Sequence, residues 1–127
     1  MNFKKLLILI NIIFFIYFSI ELLVFTDEFA LENIGFFNHA VAGLAEIIGI
    51  IFLSFSLSLC VILFRETKNQ FPFFLSIFLL QFVIAVNFWR YILTNSPGET
   101  NIETIMFNAV LFSLVSIATL YLLIKRD

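Results

Sequence analysis

Four long apolar runs dominate the chain: Leu6–Phe25, Ala40–Phe64, Phe71–Leu93 and Ile105–Ile124. Each has at least 20 residues, and about 20 cross the hydrocarbon core of a bilayer at a rise of ~1.5 Å per residue. No run alternates apolar and polar positions for long, so strands are not expected. In lipid every backbone N–H and C=O must find a partner within the segment, which makes runs of this length helices. The predicted fold class is all-α: an integral membrane four-helix antiparallel up-down-up-down bundle, one domain over residues 1–127.

The connections are short, which favours antiparallel neighbours. Residues 65–70 form a polar turn, and Pro72 opens the third run where a missing N–H costs nothing. Asn95-Ser96-Pro97-Gly98 is a turn signal, and Thr100-Asn101-Ile102-Glu103 has the form of a capping box at the start of the fourth helix. Residues 26–39 are richer. Phe29, Leu31, Ile34, Phe36 and Phe37 are interleaved with Asp27, Glu28 and Glu32, and Gly35 supplies a stop. A short helix lying in the membrane interface is expected there.

Composition agrees with a lipid-embedded chain. Hydrophobic residues make up 62% of it, charged residues 13%, and Phe alone accounts for 19 positions. A soluble domain of this size has too little surface to keep so much apolar side chain dissolved. The basic start at Lys4 and Lys5 followed by an apolar run looks like a signal peptide. However, the run is long, carries Glu21 and ends in Thr26-Asp27-Glu28 with no small-x-small cleavage site, so it is expected to remain as the first helix. A single cysteine, Cys60, rules out a disulfide or a thiol redox pair within the chain, and its apolar surroundings suit a small packing residue.

Charge placement predicts orientation. Lys4 and Lys5 precede the first helix, Arg65 and Lys68 lie between the second and third, and Lys125 and Arg126 follow the fourth. The other two connections carry Asp27, Glu28, Glu32, Glu99 and Glu103 without Lys or Arg. Under the positive-inside rule both termini are cytoplasmic, and the expected location is a multi-pass position in the cell inner (plasma) membrane.

Ionisable side chains within lipid are costly and mark functional candidates. Here they are Glu21, Glu46 and Arg90, with His39 at the outer edge and Asn11, Gln81, Asn87 and Asn108 as uncharged companions. Glu46 lies about 22 residues before the centre of the 65–70 turn and Arg90 about 22 after it, so they come out level. Counts around the outer connections bring Glu21 and Asn108 within one or two turns of that depth. Along the second helix His39, Gly43, Glu46 and Ile50 share a stripe, as do Val83, Asn87, Arg90 and Thr94 along the third. The expected site is therefore a ligand or proton pocket of Glu21, Glu46, Asn87, Arg90 and Asn108 in the outer half of the bundle, with His39 peripheral. Glu46 and Arg90 are expected to face each other as a buried pair, whose bland reading is a device that fixes helix register. Gln81 points away from the Asn87/Arg90 stripe and has no assigned role.

The chain resembles a family of short bacterial four-helix membrane proteins of unknown function, close to the DoxX-like group. The resemblance spans nearly the whole chain. It is carried by Thr26-Asp27-Glu28-Phe29 with Ile34-Gly35, by Ala45-Glu46-Ile47-Ile48-Gly49, by Phe88-Trp89-Arg90-Tyr91 and by Ser96-Pro97-Gly98. Where the family often has an Arg shortly after the acid of the second helix, this chain has Ile47, Ile48 and Gly49. The resemblance implies the fold and leaves the activity open.

The polar set points to a binding or accessory membrane protein for a small apolar or amphipathic ligand. The alternatives are a small proton-coupled transporter and an acid–base isomerase using Glu21, Glu46 and His39. His39 is the single histidine, so bis-histidine haem ligation within one chain is impossible, and no metal cluster, catalytic triad, phosphate-binding glycine loop or nucleic-acid patch is present. No cofactor is expected. The expected partners are the lipid bilayer, a small apolar ligand, and further copies of the chain or a larger complex.

Overall fold

The computed structural model describes residues 2–65, 68–94 and 101–125. These form five helices: α1 (Phe3–Leu23), α2 (Thr26–Asn33), α3 (His39–Phe64), α4 (Phe71–Thr94) and α5 (Ile102–Ile124). All except α2 are long and apolar enough to cross a membrane.

Local chemistry sets the ends. Asn2 caps α1 by accepting from the Lys5 N–H at 2.8 Å, so the helix starts before the apolar run does. Asn38 caps α3 in the same way through the Val41 N–H. Pro72 falls in the first turn of α4, where its missing N–H removes no helical bond. The expected box at α5 is replaced by a simpler cap. Asn101, whose side chain accepts from the Glu103 and Thr104 N–H groups, is the N-cap. That puts Glu103 at the second helical position, too early to reach back to the cap N–H. Thr100 and the Asn95–Gly98 turn lie outside the described residues, as do Glu66 and Thr67 of the 65–70 turn.

The expected short helix in 26–39 is α2. It stops at Gly35, whose φ of 97° is open to glycine at no steric cost, while the Ile34 and Gly35 N–H groups both close on the Ala30 carbonyl. With Thr26 and Ala30 buried, α2 packs on α1, α3 and α5 and covers the end of the bundle opposite the termini.

The four long helices run up-down-up-down. Phe15 on α1 meets Phe52 and Phe55 on α3, whereas Leu22 and Leu23 further along α1 meet the earlier Gly49. On α4, Gln81 pairs with Thr119 of α5 while Trp89 reaches Ser113. Both pairs are therefore antiparallel. The two pairs join through α1 and α5, where Phe14 meets Phe112 edge to face and Phe18 meets it at a tilt, at 4.8 and 4.9 Å between ring centres. Half of the apolar window of α1 is buried, against 28% for α3 and 22% for α4, so α1 is a spine and α3 and α4 expose most of their surface.

Consecutive helices are not all close neighbours. No Cα of α3 comes within 8 Å of one of α4. Large side chains hold these two apart, with Phe55 and Phe73 meeting edge to face at 5.9 Å. Against α1 the opposite occurs, because Gly49 is buried and lets the backbones approach.

A Cβ added at Gly49 would stand 2.8 Å from Leu23 Cγ, whereas one at Gly43 would meet nothing within 4 Å. Gly49→Ala is expected to destabilise the bundle by about 1–3 kcal/mol through forced separation of α1 and α3. Gly43→Ala should be neutral or stabilising by up to ~1 kcal/mol from helix propensity. Unfolding in mixed micelles measures both; equal effects would show that the α1–α3 approach is misplaced.

Candidate functional site

Two polar assemblies lie inside the bundle. The deeper one is a closed hydrogen-bond node between three helices. Gln81 Nε2 of α4 donates to Asn11 Oδ1 of α1 at 2.7 Å. The Thr119 hydroxyl of α5 lies 2.8 Å from Gln81 Oε1, 3.1 Å from Asn11 Oδ1 and 2.9 Å from the Val115 carbonyl. It has one proton, so only one of these contacts can be its donated bond at any moment. Asn11 Nδ2 donates to its own helix at the Leu7 carbonyl. All three side chains are at most 1% exposed, and no buried side-chain polar atom among the described residues lacks a partner. Sequence reasoning left Gln81 unassigned. Its face of α4, opposite Arg90, was the available signal, because an amide on the face away from the other polar groups needs partners of its own.

The second assembly is an open cleft of about 300 Å³ at the end covered by α2. Tyr17 and Glu21 of α1, Glu32 and Asn33 of α2, the N-cap Asn101, and Glu103, Thr104 and Asn108 of α5 supply its polar lining. Asn108, buried, donates through Nδ2 to Asn33 Oδ1 at 2.6 Å, tying α5 to α2 beneath the opening. The lining holds three carboxylates, Glu21, Glu32 and Glu103, and no Lys, Arg or His. Phe18 and Phe29 form part of its wall and also line a second cavity, of about 170 Å³, between α3 and α4. That cavity is wholly apolar, lined further by Leu22, Ile48, Phe52, Ile84, Phe88 and Phe112. It exists because α3 and α4 stand apart.

Of the expected pocket residues, the cleft gathers Glu21 and Asn108. Glu46, Asn87 and Arg90 are exposed on the outside of the bundle, and His39 is exposed at the start of α3. Among the described residues Glu46 and Arg90 form no pair. Arg90 instead donates to Asn87 Oδ1 at 3.1 Å and lies 5.2 Å from the centre of the Tyr91 ring. The reason is rotational. Counting from the turn addresses height alone, and a residue nine positions from the core-facing Gln81 is half a turn round the helix, on the outside. Glu32, Asn33, Asn101 and Glu103 were missed as site residues because they sit in or beside connections, where depth counting has nothing to say.

Fold and cavities together define a class: a small multi-pass helical membrane bundle with an acid-lined cleft at one end. No family model, curated protein or solved structure matches the chain.

Leaving Asn11 and Thr119 without Gln81 strands buried polar groups, so Gln81→Leu is expected to cost about 1–2 kcal/mol. Asn87→Leu, on the exposed face, should stay within about 0.5 kcal/mol. Both are read by reversible unfolding in mixed micelles, and a loss at Asn87 equal to that at Gln81 would contradict the node.

Proposed function

We propose that the chain binds a small amphipathic ligand, with a cationic headgroup in the cleft and an apolar tail in the adjoining groove. The observation that carries this reading is the junction at Phe18 and Phe29, where an acid-lined polar cavity and an all-apolar cavity share a wall. Glu21, Glu32 and Glu103 supply charge, and Tyr17, Asn33 and Asn101 supply hydrogen-bonding groups. An anion would meet three carboxylates and no base there. An isomerase built on Glu21, Glu46 and His39 is less well supported, since Glu46 and His39 lie outside the cleft. A proton-coupled transporter is also less well supported, since the packed phenylalanines and the Asn11–Gln81–Thr119 node fill the core beneath it.

A long-chain alkyltrimethylammonium and an alkyl sulfate of equal chain length, titrated into the protein in zwitterionic nanodiscs, test this by calorimetry. The cation should bind and the sulfate should not. Glu21→Gln with Glu103→Gln should weaken the cation by at least about tenfold, because opposite charges near a protein surface are worth a few kcal/mol at ~4 Å before solvent screening. Equal binding of both amphiphiles, or no loss in the double variant, would refute the reading.

We further propose that both termini are cytoplasmic, in an inner-membrane protein akin to the DoxX-like group. Lys4, Lys5, Arg65, Lys68, Lys125 and Arg126 all flank the termini side. A reporter active only outside the cytoplasm should be silent when fused after Asp127 and active when inserted at Gly98. The reverse pattern would invert the topology and put the acidic cleft on the cytoplasmic side.

A further inference from the structure

Glu46 and Arg90 are opposite charges on the exposed faces of two helices that belong in lipid. Glu46 lies 18 residues before the end of α3 at Phe64, and Arg90 lies 19 after the start of α4 at Phe71. At ~1.5 Å per residue their Cα atoms stand about 27 and about 28 Å from the termini side, level to within a fraction of a turn. A charge left facing hydrocarbon costs free energy wherever it cannot reach water or a partner.

Reaching the interface is not what Arg90 does. Side chains on a helix lean towards its N-terminus, which for α4 is the termini side. The guanidinium follows that lean, donating back one turn to Asn87, towards the termini side and away from the nearer end of α4. That bond uses one of five N–H donors and leaves the rest of the fork open to a carboxylate.

The two charges look in different directions. On α3, Phe55 meets Phe73 of α4, and Glu46, nine residues earlier, is half a turn away from it, facing outward from α4. On α4, Arg90 is half a turn from Gln81 in the core. One flank of the chain thus carries the acid, and another carries the base at the same depth. The face around Glu46 also permits close approach. Gly43, one turn along, has open space where a Cβ would stand, and Leu44, Ile47 and Ile50 are exposed beside it.

We propose that copies of this chain associate head to tail in the membrane, Glu46 on α3 of one copy pairing with Arg90 on α4 of the next. Two different patches meet, so the contact is heterologous, and each copy offers an acid to one neighbour and a base to the other. The exposure of α3 and α4, the least covered spans, is then the surface the assembly covers. This surface is separate from the amphiphile cleft and stands or falls independently of it.

The test is sedimentation equilibrium in a density-matched zwitterionic detergent, with native mass spectrometry from lipid to count chains. The wild type should associate. Glu46→Arg and Arg90→Glu, each alone, should weaken association by at least about tenfold, since removing one partner of a desolvated pair leaves the other charge stranded. An equimolar mixture of those two variants should recover it, because every junction between unlike chains is again acid to base. A chain carrying both substitutions should recover it as well. Gly43→Leu, whose Cβ meets nothing within 4 Å inside its own chain, should abolish association with unchanged helicity and melting, and it decides the matter if the charge variants fail to fold. A monomeric wild type, association indifferent to the single swaps and to Gly43→Leu, or a mixture that stays dissociated would each overturn the proposal.

Discussion

The hydrogen bonds among Asn11, Gln81 and Thr119 fix the arrangement of three of the four long helices. In water a hydrophobic core pulls helices together, but lipid tails are as apolar as leucine, so that force is weak here. What remains is contact between closely fitted side chains and the need of each polar group for a partner. An amide at 0% exposure, as Gln81 is, has to be satisfied within the bundle, and the three side chains satisfy one another only when α1, α4 and α5 hold one rotation and one height. A turn of α4 by a single residue would carry Gln81 about 100° away from Asn11. The node therefore sets which face of α4 looks outward, and with it the exposure of Asn87 and Arg90.

Side-chain volume sets the rest. Helix α3 takes no part in the node and is held to α1 by close approach at Gly49 and by Phe15 against Phe52 and Phe55. On its other side the same phenylalanines are too large to let α4 come near. The result is an uneven ring: close at α1–α3 and α4–α5, looser at α1–α5, and parted at α3–α4 where the apolar groove opens. Helix α2 completes the geometry. It caps one end, and the Asn33–Asn108 bond anchors it to α5, so the acidic cleft sits against the groove with only Phe18 and Phe29 between them.

The spans were legible because apolar run length is a one-dimensional signal that lipid enforces along each helix. The runs ending at Phe64 and Ile124 match α3 and α5 at those ends. Differences at helix starts come from caps, since Asn2 and Asn101 recruit polar residues that a hydropathy reading leaves outside. The short helix and its stop at Gly35 were also readable from the mixed pattern after Thr26. The site was harder. Height along a helix can be counted, and by the helix bounds Glu46 and Arg90 lie 18 and 19 residues from the termini-side ends of α3 and α4. Rotation about the helix axis is set by partners on other helices, and the partner that mattered was Gln81, whose meaning appears only once Asn11 and Thr119 are seen beside it. Glu32 and Glu103 reach the cleft through the folding of the connections, which no count of residues within a run can follow.

The two sets of charged groups towards the α2 end of the bundle answer to one rule. Glu21, Glu32 and Glu103 face an open cleft, where water or a ligand can solvate them, and like charges tolerate proximity there because the opening screens them. Glu46 and Arg90 have no such opening on the outer faces of α3 and α4. The intramolecular solution, turning both inward as a buried pair, would have required α3 and α4 to present those faces to each other, and at that end of the bundle the two helices stand apart across an apolar groove lined by Ile48, Phe52, Ile84 and Phe88. With Gln81 fixing α4 and Gly49 fixing α3, neither helix can rotate without breaking a contact that holds the bundle together. The outward position of both charges is thus a consequence of the core, which fixes the faces that α3 and α4 turn away from the bundle.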